Sequence, residues 1–471
     1  MKKQKIAAYI AIGMILISMI FLSGLILSMY KDSGYEIGSE GKEINHSIYT
    51  LYKGKIYANV PSNGEYLIDI ADSQSFKMIY KDFNYKERQF AIDKNNSYCG
   101  NRVIPNFNPQ TAKSLGHSYF TDEQNTVYCA PFTKINDDLS GWKNLFQTWL
   151  YGWSQGDKPQ VYYYPLIVLP TTTTSYQSIL EGDLVTDGQR VFFRGELMPD
   201  ANPKKLEAIN IIRNDDSKWK SNDFYHDDSN VYYQQNKLSI KNSQNLYSFY
   251  VDGLQREAYL FEPKSGEVAI NNIVFPLEST PYQLISRYGG HVNHVLFLSK
   301  QGVYFYDQKQ EKIRRAGDNP FLHGHWQEIA PFVFTYNNQT YYLQDSSSRG
   351  GRKSPSLISR STTLYLLEED PSTSWEKIGN VARHHYGEIW KKGENYYYFD
   401  RLGSSQLLGH TIYIINGKKV LDRLLNEPLL PKDIRKMVDD NNLLNVFGSE
   451  VLSAKTQYKN TIINVFDFIK E

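Results

Sequence analysis

Polarity along the chain changes once, abruptly, near residue 30. From Ile6 to Tyr30 no residue is charged, and the apolar side chains fall on every side of a helical projection. At about 1.5 Å per residue such a helix reaches roughly 37 Å, enough to cross a ~30 Å hydrocarbon core with some tilt. Lys2, Lys3 and Lys5 precede it, so the positive-inside rule places the N-terminus in the cytoplasm and the rest of the chain on the far side. A cleaved signal peptide is the alternative. The run exceeds the ~7–15 apolar residues of a signal core, and no Ala-x-Ala site follows. Small residues near its end (Ser23-Gly24, Ser28) leave cleavage open.

Beyond residue 31 the apolar positions come in short runs between polar turns, the mark of half-buried strands. One pattern recurs. Asp93-Lys94-Asn95-Asn96-Ser97-Tyr98-Cys99 returns as Asp122-Glu123-Gln124-Asn125-Thr126-Val127-Tyr128-Cys129. It returns again as Asp187-Gly188-Gln189-Arg190-Val191-Phe192-Phe193 and as Asp227-Asp228-Ser229-Asn230-Val231-Tyr232-Tyr233. Each copy is a polar turn entering a short aromatic strand. A second pattern keeps step: Tyr98 stands eleven residues before Pro109, and Phe192 eleven before Pro203. Asn108-Pro109, Asn202-Pro203 and the similar Asp72-Ser73 read as helix starts, a capping side chain followed by Pro or Ser. The predicted unit is turn, strand, turn, strand and capped helical turn, forming a β-hairpin repeat array over 31–245.

From about Tyr247 the pattern loosens. Strands are predicted at Ala258 to Phe261, Val268 to Phe275, His294 to Leu298, Val303 to Tyr306, Phe332 to Tyr336, Thr340 to Leu343, Thr363 to Leu367, Tyr396 to Phe399 and Thr411 to Ile415. Their spacing near ten residues suits an all-β array, with a β-propeller as one arrangement. Asp345 to Pro355 reads as a mobile basic loop. Residues 419–446 carry helical periodicity interrupted by Pro428 and Pro431, and a last strand is predicted at Thr461 to Phe468. The organisation expected is a cytoplasmic tail (1–5), a transmembrane anchor (6–30), the repeat region (31–245), a second β-rich region (246–417) and a helical C-terminal segment ending in a strand (418–471). The fold class is mainly β with short helices.

Composition sharpens this picture. The 37 Tyr and 23 Phe favour pleated surface over helix. A net charge of +1, from 52 basic and 51 acidic residues, exerts no pull toward nucleic acid. Cys99 and Cys129 are the two cysteines. Paired, they close a loop worth roughly 3.5 kcal/mol. Unpaired, they are small buried hydrophobes.

The repeated Asp-Lys-Asn-Asn-x-Tyr, the Asn-Pro or Asp-Ser start and the returning Asp-x-x-Asn-x-Val-Tyr together resemble the bacterial DKNYY repeat family over roughly residues 66–240. Its signature falls on Asp93, Asn95, Tyr98, Asp122, Asn125, Tyr128, Asp187, Phe192, Asp227, Asn230 and Tyr232. The resemblance implies a bacterial, Gram-negative envelope protein. Combined with the apolar run over residues 6–30 and the lysines before it, this gives an inner-membrane anchor with the C-terminal part in the periplasm. It implies no activity, cofactor or catalytic residue. Cys99 and Cys129 depart from the pattern, standing where a second aromatic residue is usual, as does Phe192-Phe193. They occupy equivalent slots of successive units, which pairs them if those units pack side by side.

Local catalytic motifs are missing. There is no Gly-x-Ser-x-Gly elbow and no phosphate-binding Gly-x-x-x-x-Gly-Lys-Ser/Thr. His291-x-x-His294, His323-x-His325 and His384-His385 invite a metal reading, and on a strand His323 and His325 would share a face. No second ligand set supports it, so no metal site is predicted. Glu368-Glu369-Asp370 reads as a solvated charge run. Tyr162-Tyr163-Tyr164 and Tyr396-Tyr397-Tyr398 are sheet filling. The segment from Trp142 to Leu150 has helical spacing, interrupts the repeats and is predicted to pack on a sheet. Trp142, Trp149 and Trp153 are its candidate binding aromatics. The expected role is binding a protein or polysaccharide partner in the envelope, since repeat arrays offer extended surfaces without a catalytic centre. A glycan-acting hydrolase or lyase, a toxin-neutralising protein and a structural spacer are the alternatives.

Overall fold

The computed structural model describes residues 2–31, 34–80, 87–139, 141–212, 217–250, 258–285, 290–349, 357–368, 372–381 and 386–458. The fold is mainly β. Its strands follow from alternation: in Lys55–Val60, Ile56, Ala58 and Val60 are buried while their neighbours face outward.

Two helices, α1 (Lys2–Lys31) and α2 (Gly34–Glu40), come first. The strands then form antiparallel meanders of four, each strand bonded to the one before it. The first two meanders occupy 42–67 and 77–103. The third runs over 113–129 and takes Leu166–Val168 as its fourth strand. The insertion between holds α3 (Gly141–Gly152) and a short ladder of Lys134–Ile135 with Tyr162–Tyr163. The fourth meander is 177–198. The fifth (207–238) and sixth (247–274) join into one eight-stranded sheet by parallel pairing of Glu207–Ile212 with Tyr247–Tyr250. The seventh is 283–317. The eighth (327–367) and ninth (375–415) each gain a fifth strand, Gly448–Gln457 and Leu443–Asn445 respectively. A four-stranded antiparallel meander is the topology of a propeller blade.

The chain divides into two compact units, Met1–Lys204 and Lys205–Glu471, so the division falls inside the repeat region. One core of the first unit gathers Val60, Phe90, Phe120 and Val127 around Cys99 and Cys129. The largest core of the second gathers aromatics and aliphatics of the sixth, seventh and eighth meanders, among them Tyr259, Phe297, Val303 and Phe334. In the same unit α4 (Lys418–Asn426) and α5 (Pro431–Asp439) bury Val420, Leu424, Ile434 and Met437 against the ninth meander.

Several expectations are corrected. The capped helical turns are not helices. Residues after Asp72, Asn108 and Asn202 make a single turn and then enter Lys77–Met78, Lys113–Gly116 and Glu207–Ile212. The side-chain cap is present, for Asn108 Oδ1 accepts from the Gln110 N–H at 2.9 Å. No helix propagates, because the following residues pair with the next strand of their own meander. The strand expected over Val268 to Phe275 is a hairpin, Glu267–Ile270 and Ile273–Val274. The basic loop begins late: Gln339–Arg349 is one strand paired with Leu357–Leu367, and residues 350–356 lie outside the described ones. So does the strand expected at Thr461 to Phe468.

The described side chains of α1 are those of residues 13–29, about 25 Å of helix and short of a ~30 Å hydrocarbon core. Among the described residues no helix is long and apolar enough to cross a membrane. The span expected over residues 6–30 extends over side chains outside that set.

Candidate functional site

The insertion of the third meander carries the most exposed aromatic surface near the repeats. In α3 and the turn just after it, Trp142, Phe146, Trp149 and Trp153 recur at the spacing of one helical face. Trp149 turns inward. Its ring stacks on Phe21 of α1 with centroids 6.1 Å apart, and its indole N–H donates to the Ile20 carbonyl at 3.2 Å. α3 therefore packs on α1 and not on a sheet, which corrects the expectation. Glycine makes this contact possible: a methyl group at Gly24 would overlap the Trp149 ring, and one at Gly152 would overlap the Gly24 carbonyl oxygen. Trp142, Phe146 and Trp153 remain exposed.

The other aromatic clusters are packing. Tyr164, Tyr397 and Tyr398 are buried. The histidines do not converge. His323 and His325 are exposed, the first in a bend and the second in the irregular stretch after it, neither on a strand, and His384-His385 lies outside the described residues. His291 and His294 are buried separately, His294 donating to or accepting from the Thr456 hydroxyl at 2.9 Å. Nε2 of His291 lies 2.8 Å from Asp400 Oδ2, and Nδ1 lies 3.6 Å from Asp345 Oδ1. Burial pushes the His291 pKa down, but these two carboxylates outweigh it and leave the imidazole above its ordinary value. An imidazole with no exposed surface meets no substrate, so this is a structural ion pair. Among the described residues no three His, Cys, Asp or Glu side chains are arranged to hold a metal ion. Of Glu368-Glu369-Asp370, only Glu368 is described; it accepts from the Ser449 hydroxyl at 2.9 Å.

The repeated aspartates all do the same work. Asp93 lies between the second and third strands of its meander. Its Oδ1 accepts from the N–H groups of Asn95 and Asn96, both at 2.7 Å. Its Oδ2 accepts from the Tyr98 hydroxyl at 2.6 Å and from the Asp72 N–H at 2.8 Å. Asp122 holds the N–H groups of Gln124 and Asn125 and, at 2.7 Å, that of Asn108. Asp187 holds Gln189 and Arg190, and Asp227 holds Ser229 and Asn230. In the second and third meanders the two sequence patterns are thus physically linked: the carboxylates of Asp93 and Asp122 grip the turns at Asp72 and Asn108 that open their own meanders. Burial raises the pKa of Asp93, Asp122 and Asp187, and the donors aimed at each carboxylate overcome that and hold it below the usual range.

Residues 49–236 match the family model of the DKNYY family. This segment is a DKNYY region. No curated protein matches the chain. The signature residues of the DKNYY region are therefore parts of the turn and strand framework, not a convergent site. Asn95 and Asn125 contribute turn N–H groups, Tyr98 and Tyr128 are buried, and Phe192 and Tyr232 fill sheet faces.

Side chains beyond the signature join successive meanders. The Tyr49 hydroxyl of the first meander meets the carbonyls of Gln89 and Gly100 at the second, at 2.7 and 2.9 Å. The Gln89 amide donates to the Cys129 carbonyl at 2.6 Å, and Cys99 and Cys129 form a disulfide between the second and third meanders, Cα atoms 5.8 Å apart. Tyr119 of the third meander donates to the Asp183 carbonyl at 3.1 Å and accepts from the Gly195 N–H at 2.9 Å. The hydrogen bonds among these connections leave no local signal, since each partner stands at least 40 positions away. Two further turns escaped the pattern. Glu262 takes the aspartate's place in the sixth meander, accepting from the Ser265 N–H and from Ser243 of the opening turn. Asp307 builds the same turn between the third and fourth strands of the seventh, within the polar run Asp307-Gln308-Lys309-Gln310.

Proposed function

We propose that this chain is a membrane-anchored envelope protein whose β-meander region lies outside the cytoplasm and binds a macromolecular partner there. The observation that carries the anchoring is the apolar surface of α1. Met14, Ile17, Leu22, Ile26 and Met29 point in different directions around the helix and all are exposed, within a run from Ile6 to Tyr30 that has no charge. Water does not support a helix that is apolar all round; lipid does. A buried disulfide between two meanders fits an oxidising compartment. The partner-binding role is supported by the architecture: the turn carboxylates of the DKNYY region are occupied in holding backbone, and the chain is built of repeated meanders, a design that needs no catalytic centre.

A reporter enzyme active only in the extracytoplasmic compartment, fused after Glu471, tests the topology. Activity is expected, together with resistance of the chain to alkaline extraction from membranes. Activity of a cytoplasm-only reporter at the same position would sink the reading. Crosslinking in intact cells then asks for the partner. A discrete protein adduct or a polysaccharide-bound fraction supports the binding role, and neither at any salt concentration counts against it.

A further inference from the structure

We propose that α3 is an interfacial helix, with Trp142, Phe146 and Trp153 seated at the boundary between headgroups and acyl chains of the bilayer that α1 enters. The inference rests on the anchoring reading and adds to it a second contact with lipid, made by the insertion of the third meander.

Four observations meet here. Trp142, Phe146 and Trp153 flank Trp149 on the side of the helix that meets α1, and they are left 68, 55 and 43% accessible. Side chains with an apolar body and a polar edge, tryptophan above all, collect at the membrane–water boundary. The opposite face carries Lys143, Asn144 and Gln147, with the amphipathic Tyr151 among them, and Lys143 is the helix's one charged residue. That distribution is the one an in-plane helix needs. The third observation is position. α3 touches α1 at Ile20, Phe21, Gly24 and Ser28. Gly24 lies eighteen residues past Ile6, or about 27 Å along the helix. A span starting near Ile6 at the inner face therefore reaches the outer boundary where α3 crosses it. The fourth is continuity. The apolar surface of α3 runs into that of α1 across a contact in which Gly24 and Ser28 are buried against Gly152 and Trp149, the small-residue approach that membrane helices use. One surface cannot be lipid-facing without the other lying beside the same lipid.

The test uses the full chain in vesicles of phosphatidylcholine and phosphatidylglycerol. Both native cysteines are bonded to each other, so Trp142→Cys, Trp153→Cys and Gln147→Cys each introduce one free thiol for an environment-sensitive fluorophore. All three positions are exposed, and an intact disulfide on a non-reducing gel reports folding. Vesicle flotation is scored first, then quenching by lipids spin-labelled near the headgroup end of the acyl chain. Labels at 142 and 153 are expected to be quenched about threefold more than the label at 147, on the polar face. Equal quenching at all three sites, or none, in a chain that floats overturns the interfacial helix and leaves the anchor standing. A chain that does not float overturns both.

Discussion

A single carboxylate can hold a repeat together when its lone pairs are matched to several donors at once. Asp93 takes four: the N–H groups of Asp72, Asn95 and Asn96 and the hydroxyl of Tyr98, which is itself fully buried. Removing the acceptor strips the buried Tyr98 hydroxyl of the carboxylate and leaves the turn N–H groups of Asn95 and Asn96 to water; taking a partner from the buried hydroxyl is more costly than the net value of its bond. Asp93→Ala is expected to destabilise the first unit by about 2–4 kcal/mol, read as a lowered denaturant midpoint at unchanged slope. A loss below about 0.5 kcal/mol would show that water replaces the carboxylate. The same bonds set a pH dependence. The folded pKa of Asp93, Asp122 and Asp187 is depressed, so their contribution is complete above the unfolded value of about 3.9 and disappears as pH falls through the lower folded values. Stability of the first unit should therefore be flat above about pH 5 and fall steeply below pH 4, and Asp93→Asn should flatten that fall.

Elements meet in this molecule through contacts that cannot be read locally, and the crossing of α1 and α3 shows it. Gly24 faces the Trp149 ring, while Gly13 on the same helix has open space around it. Gly24→Val is expected to push α3 away and speed trypsin cleavage after the exposed Lys143 severalfold, whereas Gly13→Val should leave the rate unchanged. Equal rates in both variants would mean that this contact does not hold α3. The α3 helix itself was legible, because Trp142, Phe146 and Trp149 repeat at helical spacing; its partner was not, because Phe21 lies 128 positions from Trp149. The Asp turns and their aromatic strands were legible for the opposite reason, each being complete within about seven residues. Asn108-Pro109 misled because an Asx turn satisfies the same N–H groups at a strand entrance as at a helix start. What separates the two is the Asp122 carboxylate fourteen residues on, which takes the Asn108 N–H into the meander. Parallel pairing of the fifth and sixth meanders, and the C-terminal strands added to the eighth and ninth, are long-range closures of the same kind.

At the scale of the whole chain, two units with separate cores should unfold in two steps, and each carries its own chemical handle. The disulfide lies in Met1–Lys204 and closes a loop across a sequence separation of 30. Reduction is expected to lower that unit's stability by about 3.5 kcal/mol and to leave the transition of Lys205–Glu471 where it was. The second unit answers to pH instead. His291 sits between Asp400 and Asp345, and its folded pKa is raised, so its charge contributes fully below the unfolded value of about 6.5 and is lost as pH rises through the folded one. His410 beside it shifts the other way, its pKa pushed down by burial and then by the His291 charge. The second transition should thus weaken between neutral and alkaline pH, while the first does not follow it. His291→Gln should abolish that dependence and cost about 3–5 kcal/mol at pH 6, because two buried carboxylates lose their shared cation. A calorimetric scan of the full chain, repeated with reductant and again at alkaline pH, reads both handles. If either condition moved both transitions together, the two units would be one cooperative body and each staple would stabilise the whole array.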